Sequence, residues 1–275
     1  MRRTRHSCTS IAPGFTLVEL AVVLAIVTFL LGSLMFTLSA QVDQRNFNET
    51  RRRLEHAREL LLAFAIANGR LPCPARSTSA GAEVRDAGTG ECKVGGIEDY
   101  YGGTLAGSVV GGLLPAVTIG YPQVDSSGFA IDAWQYRIRY AVAKNITACS
   151  GTSTTPHFVH ATNLKSNGIT CKPSDLLLCK SATGITASSC GSAGNQITTQ
   201  NLVAAIVFST GKNTATGGTG LDEAANLNGG GNADPVFVFH TPTPSEAANG
   251  EFDDHFAWIS VGELYGKLIS AGLLP

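Results

Sequence analysis

Apolar positions are concentrated in the first quarter of the chain. Residues 15–40 are almost wholly apolar and carry one charge, Glu19. Residues 41–68 contain neither Pro nor Gly, and their apolar positions recur at helical spacing until Asn68-Gly69 supplies a stop signal. We therefore predict one long helix, formed by a first segment at 15–40 and a continuation at 41–68.

After residue 69 the pattern changes to short segments separated by polar loops. A Gly- and Ser-rich loop is predicted from Leu71 to Pro115, and an alternating strand at Tyr136–Val142. Residues 145–200 are rich in Thr, Ser, Gly and Cys and are interpreted as an insertion. Three later strands and a terminal helix are predicted at Val203–Ser209, Pro235–His240, His255–Val261 and Glu263–Ala271. This order predicts an α+β fold, with a long helix packed on an antiparallel sheet and 69–275 as the globular domain.

The residues around Gly14 form the most specific motif. A basic leader of fourteen residues with three arginines ends at Gly14, and the apolar segment begins after this glycine. An ordinary secretory signal has the opposite order, because its apolar segment precedes the small residues of the cleavage site. Gly14, then Phe15, then Glu19 ahead of an apolar helix resembles the N-terminal signal of type IV prepilins and type II secretion pseudopilins. The resemblance implies cleavage after Gly14 by a prepilin peptidase and methylation of the new amino terminus at Phe15.

The same resemblance gives Glu19 a role in assembly, where it would pair with the amino terminus of a neighbouring subunit. A 26-residue helix at 15–40 is about 39 Å long, enough to cross a hydrocarbon core of about 30 Å, and the basic leader is expected to stay cytoplasmic. We therefore expect a pilin-like lollipop: a cleaved leader at 1–14, a single inner-membrane helix at 15–40, and a periplasmic domain that becomes part of a periplasmic or extracellular fibre. The alternatives are a shallow or protonated Glu19, and a signal anchor that is never cut.

Charge and cysteine content fit an exported domain. Three of the 20 Lys and Arg residues lie in the leader, which leaves 17 against 21 Asp and Glu, so no nucleic-acid binding is predicted. Cys8 would leave with the leader, and an even set in an exported domain predicts disulfides. Fifteen pairings of the six remaining cysteines are possible. Proximity in the sequence favours Cys73–Cys92 and Cys179–Cys190, which leaves Cys149 to pair with Cys171. A zinc site is the alternative, but no CxxC spacing supports it. The six remaining cysteines are Cys73, Cys92, Cys149, Cys171, Cys179 and Cys190.

A second point of resemblance lies at 132–140. This segment is similar to the Asp-x-Trp-Gly-x-Pro-x-x-Tyr segment of pseudopilins, with matches at Asp132, Trp134 and Tyr140 and departures at Gln135 and Arg137. We predict that Asp132 caps a turn, that Trp134 buries area and that Tyr140 lies on the following strand. A carbohydrate- or peptide-binding aromatic patch is the functional alternative.

An acid-rich segment near residue 222 is a candidate calcium site. In the resembling family, oxygen ligands of this region bind calcium in the major pseudopilin, and hard oxygens are what Ca²⁺ requires. The spacing does not match an EF-hand, and a solvated loop that needs no cofactor is the alternative. Asp253-Asp254 is interpreted as another turn or cap. The candidate ligands are Asp222, Glu223, Asn226, Asn228 and Asp234.

Catalytic motifs do not emerge from the sequence. No Gly-x-Ser-x-Gly occurs, and Ser209-Thr210-Gly211-Lys212 lacks the companion motifs of a Ser-x-x-Lys enzyme. We therefore expect a structural subunit that is not an enzyme: a minor pilin or pseudopilin of a type IV pilus or type II secretion system. Its expected partners are other pilins or pseudopilins through the N-terminal helix, prepilin peptidase, the inner-membrane assembly platform, and membrane lipid before assembly. A tip adhesin or substrate-binding module using 145–200, and a membrane-anchored periplasmic enzyme, are the alternatives.

Overall fold

A computed structural model of the chain describes residues 14, 16–105, 108–144, 156–171, 174–214, 220–227 and 234–274, without the side chains of 33–40. Residues 1–13 and Phe15, which include most of the predicted leader and the predicted methylation site, lie outside the described residues. The chain divides into two compact units, 1–46 and 47–275.

The long helix α1 covers Leu17–Asn68. It begins with a capping box, because the Thr16 hydroxyl accepts the Glu19 amide at 3.2 Å while the Glu19 carboxylate accepts the Thr16 amide at 2.9 Å. The hydrogen bonds from Thr16, its amide first and then its hydroxyl, hold the pKa of Glu19 below its usual value. At the other end the Gly69 amide donates to the Ala65 carbonyl at 2.8 Å with φ +68°. The predicted continuation at 41–68 and its stop at Asn68 are therefore confirmed.

The predicted membrane-spanning stalk is wrong. Across the ranges described above, no helix is both long enough and apolar enough to cross a membrane. The expectation of a pilin-like lollipop with a single inner-membrane helix, and the localisation based on it, are contradicted by this finding.

The second unit is α+β, as predicted, but its sheets are small. Among the described residues, its largest sheet has the order β5 (Arg139–Val142), β7 (Val203–Ser209), β9 (His255–Ser260), and both pairings are antiparallel. Strands β6 (Leu177–Cys179) and β8 (Val236–Val238) pair in parallel, which differs from the predicted run of antiparallel strands. The helices after α1 are α2 Ala116–Ile119, α3 Ala161–Asn167, α4 Leu221–Asn226 and α5 Val261–Ser270. The strands are β1 Lys93–Val94, β2 Ile97–Glu98, β3 Gly103–Thr104, β4 Val110–Gly111, β5 Arg139–Val142, β6 Leu177–Cys179, β7 Val203–Ser209, β8 Val236–Val238 and β9 His255–Ser260.

The core lies between the second half of α1 and the central strand β7. Leu54, Ala57 and Leu61 form the apolar stripe of α1 and are at most 1% exposed. All seven residues of β7 are buried, which explains the continuous apolar run in its sequence. Burying Leu61 alone stabilises the fold by about 2 kcal/mol. The helix and the sheet therefore form a single core.

Two disulfides join cysteines that are close in sequence, as proximity predicted. Cys73 pairs with Cys92 and Cys179 pairs with Cys190. Cys171 is also disulfide-bonded, and Cys149, its predicted partner, lies outside the described residues. The first bridge staples the loop that follows α1. The second closes a turn within the predicted insertion at 145–200, which also contributes α3 and β6 to the unit.

Candidate metal centre

Three buried carboxylates meet at the end of the sheet. Glu223 lies on α4, and Asp253 and Asp254 immediately precede β9. Each of the three is at most 4% exposed, and each offers one carboxylate oxygen within 4.8 Å of the others. The cluster forms because α4 packs beside β8 and the turn before β9. A cluster of this composition could hold a metal ion.

Neighbouring amides fix two of the carboxylates. The Asn213 side-chain amide donates to both oxygens of Glu223 at 3.0 Å, and the Asp253 amide donates to the same carboxylate at 2.9 Å. The Lys212 amide donates to Oδ2 of Asp253 at 2.9 Å. These bonds orient Glu223 and Asp253 by means of the loop after β7.

Asn226 holds the third carboxylate. Its amide nitrogen donates to Oδ2 of Asp254 at 2.7 Å and to the Val238 carbonyl at 2.9 Å, while its oxygen accepts the Val238 amide at 2.7 Å. Asn226 is 2% exposed, and these contacts use it as a bridge between α4 and β8. Asn226 therefore positions a carboxylate of the cluster.

Two carboxylate oxygens of the cluster lack a hydrogen bond. Oδ1 of Asp253 and Oδ1 of Asp254 are buried and have no partner among the described residues. Burial raises the pKa of Asp253 to about 6, and the Glu223 charge adds to the rise. Burial also raises the pKa of Asp254 well above its usual range, although the Asn226 hydrogen bond opposes it. Buried like charges are costly unless a proton or a cation compensates them.

The backbone leaves room for the cluster only because residue 211 is glycine. A Cβ at Gly211 would lie 1.6 Å from Oδ1 of Asp253, and the residue has φ +66°. Both the contact and the left-handed conformation exclude a side chain at this position. The loop after β7 is therefore shaped to accept the Asp253 carboxylate.

The structure distributes the predicted calcium ligands over several places. Glu223 is in the cluster and Asn226 supports it. Asp222 instead accepts the Ala182 amide and contacts Nε2 of His240 at 3.1 Å in a separate network. Asp234 accepts the Val236 amide at 3.0 Å beside its own strand. Asn228 lies outside the described residues.

Sequence reasoning missed two of the three carboxylates, because it interpreted Asp253-Asp254 as a turn or cap. The one available signal was an acid pair placed directly before an alternating apolar strand, where the chain must enter the core. The thirty-residue separation between Glu223 and Asp253 gives no local spacing to recognise.

The Asp132 motif has the predicted structural role. Oδ1 of Asp132 accepts the amides of Trp134 at 2.9 Å and Tyr136 at 2.8 Å, and Oδ2 accepts the Ser209 hydroxyl at 2.6 Å. Tyr140 is fully buried and its hydroxyl donates to the Pro72 carbonyl at 3.0 Å. The turn is retained without glycine, since Gln135 adopts φ +72°.

The aromatic ring of Trp134 packs inside the same region. Its ring centroid lies 5.0 Å from that of Phe47 and 6.2 Å from that of His255. The side chain is therefore engaged in packing.

Comparison of the chain with known protein families, with characterised proteins and with solved structures gave no match.

Proposed function

We propose that this chain is an assembly subunit of a pilus-type fibre, either a minor pilin or a type II secretion pseudopilin, and that a prepilin peptidase cuts it after Gly14. The motif Gly14, Phe15, Glu19 carries the proposal, and α1 begins at Leu17, directly after the junction. The order of small residue, aromatic residue and apolar helix would leave the helix on the mature protein.

The exposure of α1 within the first unit supports the same proposal. Its large apolar side chains from Leu17 to Leu31 are 43–85% exposed. Apolar patches of this extent are a feature of interaction surfaces. We infer that this surface packs against the equivalent helices of other subunits in the fibre.

Glu19 needs a test that separates two roles, because its carboxylate also caps its own helix. Glutamine preserves a capping box, so Glu19→Gln removes the charge and keeps the cap. Thr16→Ala removes the cap and keeps the charge. If Glu19 serves assembly, Glu19→Gln abolishes incorporation into fibres and Thr16→Ala does not. The opposite result would restrict Glu19 to capping.

Intact-mass analysis of the full-length chain, expressed with and without a prepilin peptidase, tests the processing step. The expected product begins at N-methylated Phe15 and is absent without the peptidase. Gly14→Val should block the cut, whereas Gly32→Val, an equal change farther along the chain, should leave it intact. An unprocessed amino terminus in the presence of an active peptidase would refute the proposal.

We also propose that the acidic cluster binds calcium through Glu223, Asp253 and Asp254. The two buried oxygens without hydrogen bonds favour this second proposal, and an all-oxygen carboxylate set is suited to Ca²⁺. When bound, the cation would supply the positive charge that compensates the buried carboxylates and would tie α4 to the turn before β9.

Thermal unfolding of the full chain in calcium, magnesium or EGTA tests this proposal. Calcium at about 100 times its dissociation constant should stabilise the protein by about 2.7 kcal/mol. Glu223→Gln should remove the calcium-dependent shift. Asp222→Asn, at the neighbouring position in a different network, should keep it. A wild-type melting temperature that does not change with calcium would exclude the site.

A further inference from the structure

The parallel strands β6 and β8 connect the Cys179–Cys190 disulfide to the acidic cluster. Cys179 is the last residue of β6 and is paired with Val238, the last residue of β8. The Phe239 amide, directly after β8, donates to the Cys179 carbonyl at 2.8 Å. Among the described residues these two strands form a sheet of their own. Because a sheet of two strands is marginally stable by itself, its position depends on what packs against its faces.

The two faces of this sheet pack against different groups. Phe237 belongs to the main core. Leu177 and Val236 lie in a small separate cluster with the two bridged cysteines, Cys179 and Cys190, which are at most 1% exposed. Side chains alternate along a strand, so Val236 and Phe237 point to opposite faces of β8. The disulfide is therefore part of the apolar packing that holds one face of β8.

The outer edge of β8 is held by one side chain, Asn226. The Val238 amide donates to the Asn226 oxygen at 2.7 Å, and the Val238 carbonyl accepts from the Asn226 nitrogen at 2.9 Å. The same nitrogen donates to Oδ2 of Asp254 at 2.7 Å. An asparagine amide has two N–H groups and one oxygen, and all of them are engaged here. The position of β8 therefore determines how Asn226 is oriented towards Asp254.

The Asp254 carboxylate depends on this contact more than its neighbours do. Among the described residues, Asn226 is its one hydrogen-bond donor, because Oδ1 has no partner. Glu223 and Asp253 accept hydrogen bonds from elsewhere, including the loop after β7. A displacement of β8 would therefore move one proposed calcium ligand and leave the other two in place.

We propose that the Cys179–Cys190 disulfide positions Asp254 through β8 and Asn226, and so sets the calcium affinity of the acidic cluster. This inference rests on the calcium proposal above. Without the bridge, the packing around Val236 loosens and β8 gains freedom, so Asn226 no longer holds the Asp254 carboxylate in one place. Groups that orient a metal ligand change metal affinity by about 10- to 100-fold. Tight calcium binding therefore requires that this bridge is closed.

Calorimetric titration of calcium into the calcium-free, full-length chain at pH 7.5 tests the inference. Replacing Cys179 and Cys190 together with serine should weaken calcium binding about tenfold, the lower end of that range, because the bridge acts through intermediate groups. Val236→Ala thins the same cluster without changing a cysteine, and it should also weaken binding if the serine variant does not fold.

The matched control replaces Cys73 and Cys92 together with serine. This change opens the bridge in the loop after α1 and should leave the calcium affinity unchanged. The two bridges span sequence separations of 19 and 11, so their removal should cost similar amounts of overall stability. A difference in calcium affinity between the two variants therefore reports on the cluster.

Combining variants shows whether the bridge acts through Asn226. If it does, the serine replacements at 179 and 190 should weaken binding no further once Asn226→Ala is present, because changes along one route are not additive. Losses that add in full would refute this route.

The possible failures are distinguishable. A wild-type chain that does not bind calcium would refute the calcium proposal, and this inference with it. Calcium binding that is equally tight with and without the Cys179–Cys190 bridge would overturn this inference alone. Equal weakening by both pairs of serine replacements would also overturn it, because the effect would then come from overall stability.

Discussion

Replacing Asp253 with asparagine tests whether the acidic cluster carries an uncompensated charge. The pKa of Asp253 rises from 3.8 to about 6 on folding, and a change of that size costs the folded state about 3 kcal/mol well above pH 6. Asparagine has nearly the same shape without the charge and can still accept the Lys212 amide. Its own amide group needs partners, which offsets part of the gain. In chelator at pH 7.5 we expect Asp253→Asn to raise the free energy of unfolding by about 1–2 kcal/mol.

The pH dependence of this effect has a definite sign. The folded state holds the Asp253 proton more tightly than the unfolded chain, so the destabilisation is present above pH 6 and disappears as the pH falls through 6 towards 4. The advantage of Asp253→Asn over the wild type should therefore shrink between pH 7.5 and pH 5. Urea unfolding followed by the fluorescence of the two tryptophans measures both values.

Asp125→Asn is the control of opposite sign. Burial acts against the ionised form of Asp125, but hydrogen bonds from the Phe129 amide and the Arg137 side chain outweigh it and lower its pKa. Its loss should cost about 1 kcal/mol, equally at pH 7.5 and pH 5. The reasoning is refuted if Asp253→Asn is less stable than the wild type in chelator at pH 7.5, or if its advantage is the same at both pH values.

Three further predictions concern other parts of the second unit. Burial lowers the pKa of His157 from 6.5 to about 4. The contribution of neutral His157 to stability should therefore fall by up to about 3 kcal/mol as the pH drops from 6.5 to 4. His157→Gln should show a smaller decline than the wild type over this range, measured by urea unfolding at each pH. Replacing Cys73 and Cys92 together with serine opens a loop with a sequence separation of 19 and should cost about 3 kcal/mol by denaturant unfolding, while reductant should have no further effect at this bridge. Gln135→Gly should stabilise the chain by about 0.5 kcal/mol in the same assay, because the left-handed conformation at φ +72° is strained for glutamine; an equal gain from Gln135→Ala would contradict that explanation.

Local patterns predicted the elements whose cause is local. The end of α1 at Asn68 follows from the adjacent glycine, β7 from an uninterrupted apolar run, and the bridges at Cys73 and Cys179 from short loops. The stalk prediction rested on the apolar composition of 15–40 alone, and no helix among the described residues is long and apolar enough to cross a membrane.

The remaining features depend on contacts between distant parts of the chain. The parallel pairing of β6 with β8 joins segments about sixty residues apart, and no alternation in either segment specifies it. The acidic cluster needs α4 and the turn before β9 to meet in the core, so Asp253 and Asp254 have no sequence neighbour that identifies them. Glu223 was predicted only because it lies in an obviously acidic segment.

The close approach of Gly211 to Asp253 has an evolutionary consequence. A side chain at residue 211 and the Asp253 carboxylate would occupy the same space, because a Cβ at Gly211 would lie 1.6 Å from Oδ1 of Asp253. The first mutation at either position therefore determines which mutations the other can accept. Descendants of this sequence should keep the glycine for as long as they keep the aspartate. In a lineage that loses the aspartate, only the left-handed backbone at φ +66° restricts residue 211, and asparagine also tolerates that conformation. Covariation of residues 211 and 253 among related sequences would therefore show that the Asp253 carboxylate is under selection, even where its ligand is not known.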